Sequence, residues 1–402
     1  MITLTRRGFL RGTAAAFCAA ALPYGWGLPA AARADADIRG HIFRGDAPDK
    51  LWPWSREAMH YRSLADGRTV CGLCPHRCIL SPGDRGVCRV RVNVAGKMYT
   101  LGYGNPCAVH LDPVEKKPLY HFLPGSRAFS LAVAGCNLRC LNCQNWEISQ
   151  ARPEDVRTIE LFPDQVVAAA RQSGAASIAY TYTEPIVFYE YMYDTAVRAR
   201  AAGLRNLMIS AGYINPAPLR QLCQVIDGAN VNLKSFSDAI YRRLNGARLE
   251  PILATFETLH EAGVHFEMTN LVVPGYVDDP KMVRDMCRWI VSRLGPDHPL
   301  HFTRFFPKYK LDRLAPTPVQ TLEDFRQIAL DAGIRYVYVG NVPGHAANHT
   351  YCHRCGRRII ERRGFLTPER QMDGGRCAFC GTPIPGVWDK RFSTPEPTAG
   401  HG

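Results

Sequence analysis

From about residue 128 onward, short runs of β-branched, aromatic and aliphatic residues alternate with longer stretches whose apolar positions recur every three to four residues. The short runs predict strands at Phe129–Ala134, Ser177–Tyr182, Asn206–Ser210, Val231–Ser235, His265–Val273, Leu300–Phe306 and Tyr336–Gly340. Between them, helical periodicity predicts Pro163–Ser173, Ile186–Ala202, Pro216–Gln224, Ile252–Ala262, Pro280–Leu294 and Leu322–Ala332. Gly174, Gly203, Gly263 and Gly333 stand where left-handed helix ends are expected. Strands alternating with helices of this length imply parallel βα units, hence an α/β fold. Six or seven units suit an open, partial barrel better than a closed eightfold one, with the working face at the C-terminal ends of the strands.

Composition changes this picture little. The 402 residues are 46% apolar and 21% charged, which is globular usage and excludes disorder as the default. Lys and Arg outnumber Asp and Glu by 49 to 36, but Arg6, Arg7, Arg11 and Arg33 fall in a leading stretch with no acid. What remains is a solubility term rather than a nucleic-acid footprint. That leading stretch has its own grammar: Thr5-Arg6-Arg7-Gly8-Phe9-Leu10-Arg11, an apolar run to Leu22, and Ala32-Arg33-Ala34 before Asp35. It resembles a twin-arginine export signal, which predicts a periplasmic location, or a cytoplasmic one if the signal is not used. The apolar run is too short to cross a bilayer, so no transmembrane segment is expected in the mature chain. The expected organisation is a signal over 1–34, a Cys-rich wrapping region over 35–127, the barrel core over 128–344, a small Cys-rich module over 345–390 and a tail over 391–402.

Eleven of the fifteen cysteines form three tight clusters, so metal ligation is weighed before disulfides. Cys136, Cys140 and Cys143 follow directly after the first predicted strand. Three thiolates on such a loop can hold three irons of a [4Fe–4S] cube and leave the fourth iron open, the C-x3-C-x2-C spacing of radical S-adenosylmethionine (SAM) enzymes. A three-thiolate zinc site, or a ferredoxin-like cluster completed by a distant cysteine, are the alternatives. Cys71, Cys74, Cys78 and Cys88 suit four-thiolate zinc, a second cluster acting as an electron inlet, or, after export, disulfides. Cys352, Cys355, Cys377 and Cys380 form two C-x2-C knuckles, each followed by glycine, the signature of a zinc ribbon or rubredoxin-like module. Arg354, Arg357, Arg358, Arg362 and Arg363 lie in that module, but without interleaved aromatics nucleic acid is not expected.

Asp112-Pro113-Val114-Glu115-Lys116-Lys117-Pro118-Leu119-Tyr120-His121-Phe122, the cysteine loop running into Gln144-Asn145-Trp146-Glu147-Ile148-Ser149-Gln150, and Tyr180-Thr181-Tyr182-Thr183-Glu184-Pro185 carry a resemblance over nearly the whole post-signal chain. The chain resembles the radical SAM protein of the AmmeMemoRadiSam system, a group similar to pyruvate formate-lyase activating enzymes. The resemblance implies a partial (β/α)6 radical SAM barrel. It implies reductive cleavage of SAM to methionine and a 5′-deoxyadenosyl radical that abstracts hydrogen, with Memo-type and AMMECR-type proteins as partners. The cofactors carry that chemistry and the barrel orients and shields it. Thr183-Glu184-Pro185 occupies the place of the glycine-glycine-glutamate segment of relatives. One departure stands out: the residue before the third cysteine is Asn142, where relatives carry an aromatic beside adenine, so Trp146 or a later aromatic would have to substitute.

Glu184, at a strand end, can accept from the SAM ammonium; the alternative is a plain helix-start carboxylate ahead of Pro185. Lys234 faces inward if Leu233 faces the helices, offering its charge to the SAM carboxylate or ribose region, or else reaches solvent. Thr269 and Asn270 precede Pro274-Gly275, and family geometry lets Asn270 approach the cofactor. Ser210-Ala211-Gly212-Tyr213 lines the substrate side or simply turns the chain. The charged strip Asp112–His121 reads as a lid or recognition strip in which Tyr120 or His121 moves protons, or as a solvated run. The expectation is thus a radical SAM enzyme of unknown substrate that needs an electron donor, [4Fe–4S], SAM and Zn²⁺. Its rivals are a glycyl-radical activating enzyme acting on a partner protein and an exported, non-enzymatic iron–sulfur electron-transfer protein.

Overall fold

The computed structural model describes residues 41–389; the twin-arginine stretch and the 391–402 tail lie outside the described residues. Eight strands form one sheet in sequential order: β1 (Ala108–Pro113), β2 (Arg127–Ala132), β3 (Ser177–Tyr180), β4 (Arg205–Ser210), β5 (Gly228–Asn232), β6 (His265–Val272), β7 (Leu300–Arg304) and β8 (Val337–Gly340). From β2 to β8 every pairing is parallel, and β1 runs antiparallel against β2. The edges β1 and β8 stay apart, so the barrel is open. Six helices join the parallel strands: α1 (Pro163–Gln172), α2 (Tyr189–Ala201), α3 (Pro216–Cys223), α4 (Leu249–Glu261), α5 (Pro280–Leu294) and α6 (Val319–Asp331). Three of these begin with proline, whose missing N–H costs nothing at a first turn, at Pro163, Pro216 and Pro280, and Pro185 opens the 3₁₀ turn that leads into α2.

The seven predicted strands and six helices all form. Val231–Ser235 is displaced: the ladder runs over Gly228–Asn232, and Lys234 lies beyond its end. The barrel sheet also begins earlier than expected, since β1 leads directly into the charged segment read above as a lid or recognition strip and ends on its first two residues, Asp112 and Pro113.

That strip is corrected by its burial. Pro118–Phe122 enters the barrel from below and fills it. The Pro118 carbonyl accepts from Asn230 Nδ2 (2.8 Å), the His121 amide donates to Glu267 Oε1 (2.6 Å), and the fully buried Phe122 ring lies where any Cβ on Gly228 would stand 2.8 Å away. Glu267 points inward from β6 and also meets His301 Nε2 of β7 at 2.6 Å, while Phe266, Met268 and Asn270 point outward to the helices. His121 itself is sealed between the Pro385 carbonyl (2.6 Å) and the Tyr338 hydroxyl (2.7 Å), so it is a packing residue and not a proton carrier at the mouth.

Before β1, two small antiparallel sheets carry the first cysteine cluster. One pairs Arg56–Glu57 and Arg91–Val94 with Lys97–Thr100; the other joins Tyr61–Ser63, Thr69–Cys71 and Ile79–Leu80. After β8, two short hairpins hold the last cysteine cluster. The buried guanidinium of Arg362 fastens this module to the barrel by donating to the Tyr120 carbonyl (2.8 Å) and to Thr350 Oγ1 (2.7 Å). Arg358 and Arg363 pair with Glu361, and Arg357 lies over Phe379, so the arginine row is largely spent within the module.

Burial lowers the His121 imidazole to about 4. A histidine held neutral in the folded chain contributes stability that is present at high pH and lost as pH falls from about 6.5 toward 4. The stability difference between the native chain and His121→Gln, which cancels the other groups, should therefore shrink by on the order of 3 kcal/mol over that window in denaturant titrations at stepped pH.

Candidate active site

The loop after β2 is shaped by a missing side chain. Gly135 has a left-handed φ of 104°, and a Cβ there would stand 2.6 Å from the Cys88 carbonyl oxygen. The chain then turns through Cys136, Cys140 and Cys143, tied down by backbone bonds from Arg139 to the Asn245 carbonyl (2.8 Å) and from Leu141 to the Leu244 carbonyl (2.9 Å). Donors already address the sulfurs: the Leu138 amide reaches Cys136 Sγ (3.3 Å) and Asn245 Nδ2 reaches Cys140 Sγ (3.2 Å). Burial, reinforced by the nearby Glu184 charge, pushes the Cys136 thiol well up, and burial with the Cys140 charge raises Cys143. A cation beside Cys136 and Cys143 would favour their thiolates against that burial.

All three cysteines line a cavity of about 630 Å³ at the C-terminal ends of the strands. Thr183, Glu184 and Lys234 line it too. Glu184 leaves β3 fully buried, accepting from Ser210 Oγ (2.6 Å) and the Ile186 amide (3.2 Å) on one oxygen and from the Ala211 amide (2.8 Å) on the other. It therefore does cap the 3₁₀ turn starting at Pro185, as the helix-start reading expected. Of about four lone-pair positions on a carboxylate, three are filled, and the second oxygen keeps room for one more donor. Burial raises its carboxyl despite these donors, while the charge of Lys234 works the other way. Thr183 donates its hydroxyl to the Val133 carbonyl (2.7 Å) and keeps its acceptor capacity. Ser210 and Ala211 thus hold Glu184 and also line the cavity, as the substrate-side reading expected.

Asn270 is not brought to this cavity. The alternation of β6 puts Glu267, Thr269 and Leu271 inside, so the Asn270 side chain lies on the helix side, donating to the Leu233 carbonyl (2.7 Å) beside Met286 of α5. Leu271 takes the place at the mouth. Trp146 stacks on Tyr309 (5.1 Å) and does not line the cavity, so it does not substitute for the aromatic absent at position 142. Asn142 lines the cavity instead, with a buried Oδ1 that has no protein partner.

Other lining residues were not singled out one by one: Glu115 and Lys117 lie within the charged strip, and His301 carried no signal. Glu115, buried and raised to about 7 by desolvation, and His301, set by Glu267, face the same space. Lys117 is buried against Asp112 (2.5 Å) and lowered to about 8 by that burial; although burial works the other way on Asp112, Lys117 and the Tyr182 hydroxyl hold its carboxyl well below the usual range. Tyr182 has φ +64°, strained for a residue with a side chain, between β3 and Glu184. A pairing of charges in space, not along the chain, was the missing signal for these groups.

Cys352, Cys355, Cys377 and Cys380 gather all four sulfurs within 4.8 Å of one another. Two of the separations are 3.6 Å (Cys352 to Cys380) and 3.8 Å (Cys355 to Cys377).

The Radical SAM superfamily profile matches residues 131–290, from the strand before the cysteine loop to α5. An uncharacterized protein of Methanocaldococcus jannaschii is 44% identical over 331 residues, 82% of this chain and 98% of that one. The chain belongs to the radical SAM superfamily. It is also 25% identical over 229 residues to the pyruvate formate-lyase 1-activating enzyme of Escherichia coli, spanning 54% of this chain and 93% of that enzyme. Among solved structures, Streptococcus suis SuiB bound to S-adenosylmethionine superposes with a TM-score of 0.42 at 10% identity, covering 60% of this chain and 56% of that one.

Membership in the radical SAM superfamily makes the protein an enzyme and implies a [4Fe–4S] cluster, SAM, a source of electrons and a substrate. The residues present fit those groups: among the described residues the cavity lining holds three cysteines, an acceptor without partner on Asn142, and one open position on Glu184. No helix of the described residues is long and apolar enough to cross a membrane.

Because Asn270 serves packing, Asn270→Ala should leave SAM affinity unchanged in equilibrium dialysis. Stranding the Leu233 carbonyl should cost about 1–3 kcal/mol in chemical denaturation of the same variant.

Proposed function

We propose that this radical SAM enzyme cleaves SAM reductively and uses the resulting 5′-deoxyadenosyl radical to abstract hydrogen from its substrate. The observation that carries the reading is the convergence of three cysteines, Glu184 and Lys234 on one cavity at the strand ends. When bound, the cluster supplies the electron that breaks the sulfonium bond. The chain's own groups do the rest. Cys136, Cys140 and Cys143 hold three irons. Glu184, already fixed by Ser210, Ala211 and Ile186, takes the SAM ammonium at its open position without having to reorganise. Lys234 offers its charge to the SAM carboxylate or ribose region, and the buried Oδ1 of Asn142 accepts one donor. The walls of β3 to β8 exclude water from the radical.

A second reading is activation of a partner protein by forming a glycyl radical. It draws support from the open groove of about 670 Å³ that continues from the cavity, where Phe306 and Phe365 stand half exposed beside Arg304 and Lys308. Such an apolar, basic entrance suits a polypeptide better than a small metabolite. Zinc is proposed for the C-terminal quartet, because four sulfurs at 2.3 Å from one tetrahedral ion stand ~3.8 Å apart, as these nearly do.

Anaerobically reconstituted protein given dithionite and SAM is expected to release 5′-deoxyadenosine; its absence would sink the enzymatic reading. Glu184→Gln should weaken SAM binding roughly 10- to 100-fold, the worth of a charge-assisted bond, with iron content unchanged. Partner activation is checked by electron paramagnetic resonance of proteins incubated with the reduced enzyme, where a backbone glycyl radical is the expected signal.

A further inference from the structure

The first cysteine cluster is not used by the site described above, and its geometry differs from that of the C-terminal quartet. Cys71, Cys74, Cys78 and Cys88 are all free thiols, so the structure pairs none of them in the disulfides that export would permit. They come from three places: the end of the strand Thr69–Cys71, the turn that follows it, and the loop before Arg91–Val94. All four nonetheless line one small cavity, closed on its other sides by apolar groups such as Leu80 and Ile186. Among the described residues, the C-terminal quartet is the one His/Cys/Asp/Glu group whose ligand atoms all lie within 4.8 Å. The N-terminal sulfurs form no group that tight, and the cavity they line measures about 20 Å³.

Burial pushes the thiols of Cys74, Cys78 and Cys88 up, to about 12 at Cys78, while the backbone of His76, Val87 and Val90 works the other way. The buried Arg91 guanidinium lies 3.5 Å from Cys71 Sγ and is itself held by Glu190 and the Met59 carbonyl. Donors aimed at cysteine sulfurs are the means by which proteins tune iron–sulfur clusters. The cavity also backs onto the active-site loop: the Cys88 carbonyl abuts Gly135, and His76 Nε2 lies 2.7 Å from the carbonyl of Asn137, the residue after Cys136.

We propose that Cys71, Cys74, Cys78 and Cys88 bind a second iron–sulfur cluster, closed by four cysteines, directly behind the loop that carries Cys136. Four irons take four sulfurs set wider than the ~3.8 Å that one zinc ion would impose. The proposal does not depend on SAM cleavage or on the identity of the substrate.

The test is metal analysis of the full chain, purified and reconstituted without oxygen. In Cys136→Ala/Cys140→Ala/Cys143→Ala the active-site cluster is gone, and about four irons and four sulfides per chain should remain. Their reduced paramagnetic signal should ignore added SAM, since no open iron is left. In the reverse variant, Cys74→Ser/Cys88→Ser, iron should fall from about eight to about four per chain, and the surviving signal should respond to SAM. Iron-free protein with an additional zinc in the triple variant overturns the proposal, as does a triple variant that holds neither metal. Should the triple variant not fold, the reverse variant decides: iron unchanged from the native chain refutes the second cluster.

Discussion

The constraint on which the rest depends is steric and sits at a single α-carbon. Gly135 must be bare, because the Cys88 carbonyl and Val90 occupy the space a side chain would need. That contact joins the first cysteine cluster to the second and sets the angle at which the chain leaves β2. From this angle follow the placement of Cys136, Cys140 and Cys143 over the cavity and their docking against Leu244 and Asn245. A loop fastened on both sides presents its sulfurs without a large ordering cost when iron arrives.

A second constraint is electrostatic and lies lower in the barrel. Its interior is not an apolar plug: Glu267 and Asn230 are met there by the backbone of the Pro118–Phe122 segment, and in turn hold His301 and Thr269. Polar groups this deep are tolerated only when every partner is in place. The upper end of the same segment delivers Glu115, Lys117 and Tyr120 to the cavity, so the plug and the mouth are positioned by one stretch of chain.

The barrel was legible in the sequence because its elements announce themselves locally, through apolar periodicity, proline at first turns and glycine after last ones. Strand phase was less legible. Leu233-Lys234-Ser235 continues the alternation past the last ladder partner, so β5 read as displaced toward its C-terminus. The family resemblance set Asn270 near the cofactor, but the alternation that puts Glu267 and Thr269 inside turns it to the helix side. That Cys136, Cys140, Cys143 and Glu184 share one cavity was legible from spacing and position at a strand end. The plug was not, since what buries Lys117 and His121 are residues placed up to 264 positions away, such as Pro385. Charge density along a chain reads as solvated unless those distant partners are known.

Arg362 has one further consequence. Its guanidinium rests on the Tyr120 ring at 4.0 Å and holds the Tyr120 carbonyl, and Tyr120 borders the reaction space. The arginine is kept in place by a miniature fold in which Cys352 and Cys377 are buried beside Ile359, Ile360 and Ile384. An oxidant that displaces those two sulfurs would slacken the roof over the cavity, so that a distant knot governs how tightly the chamber shuts.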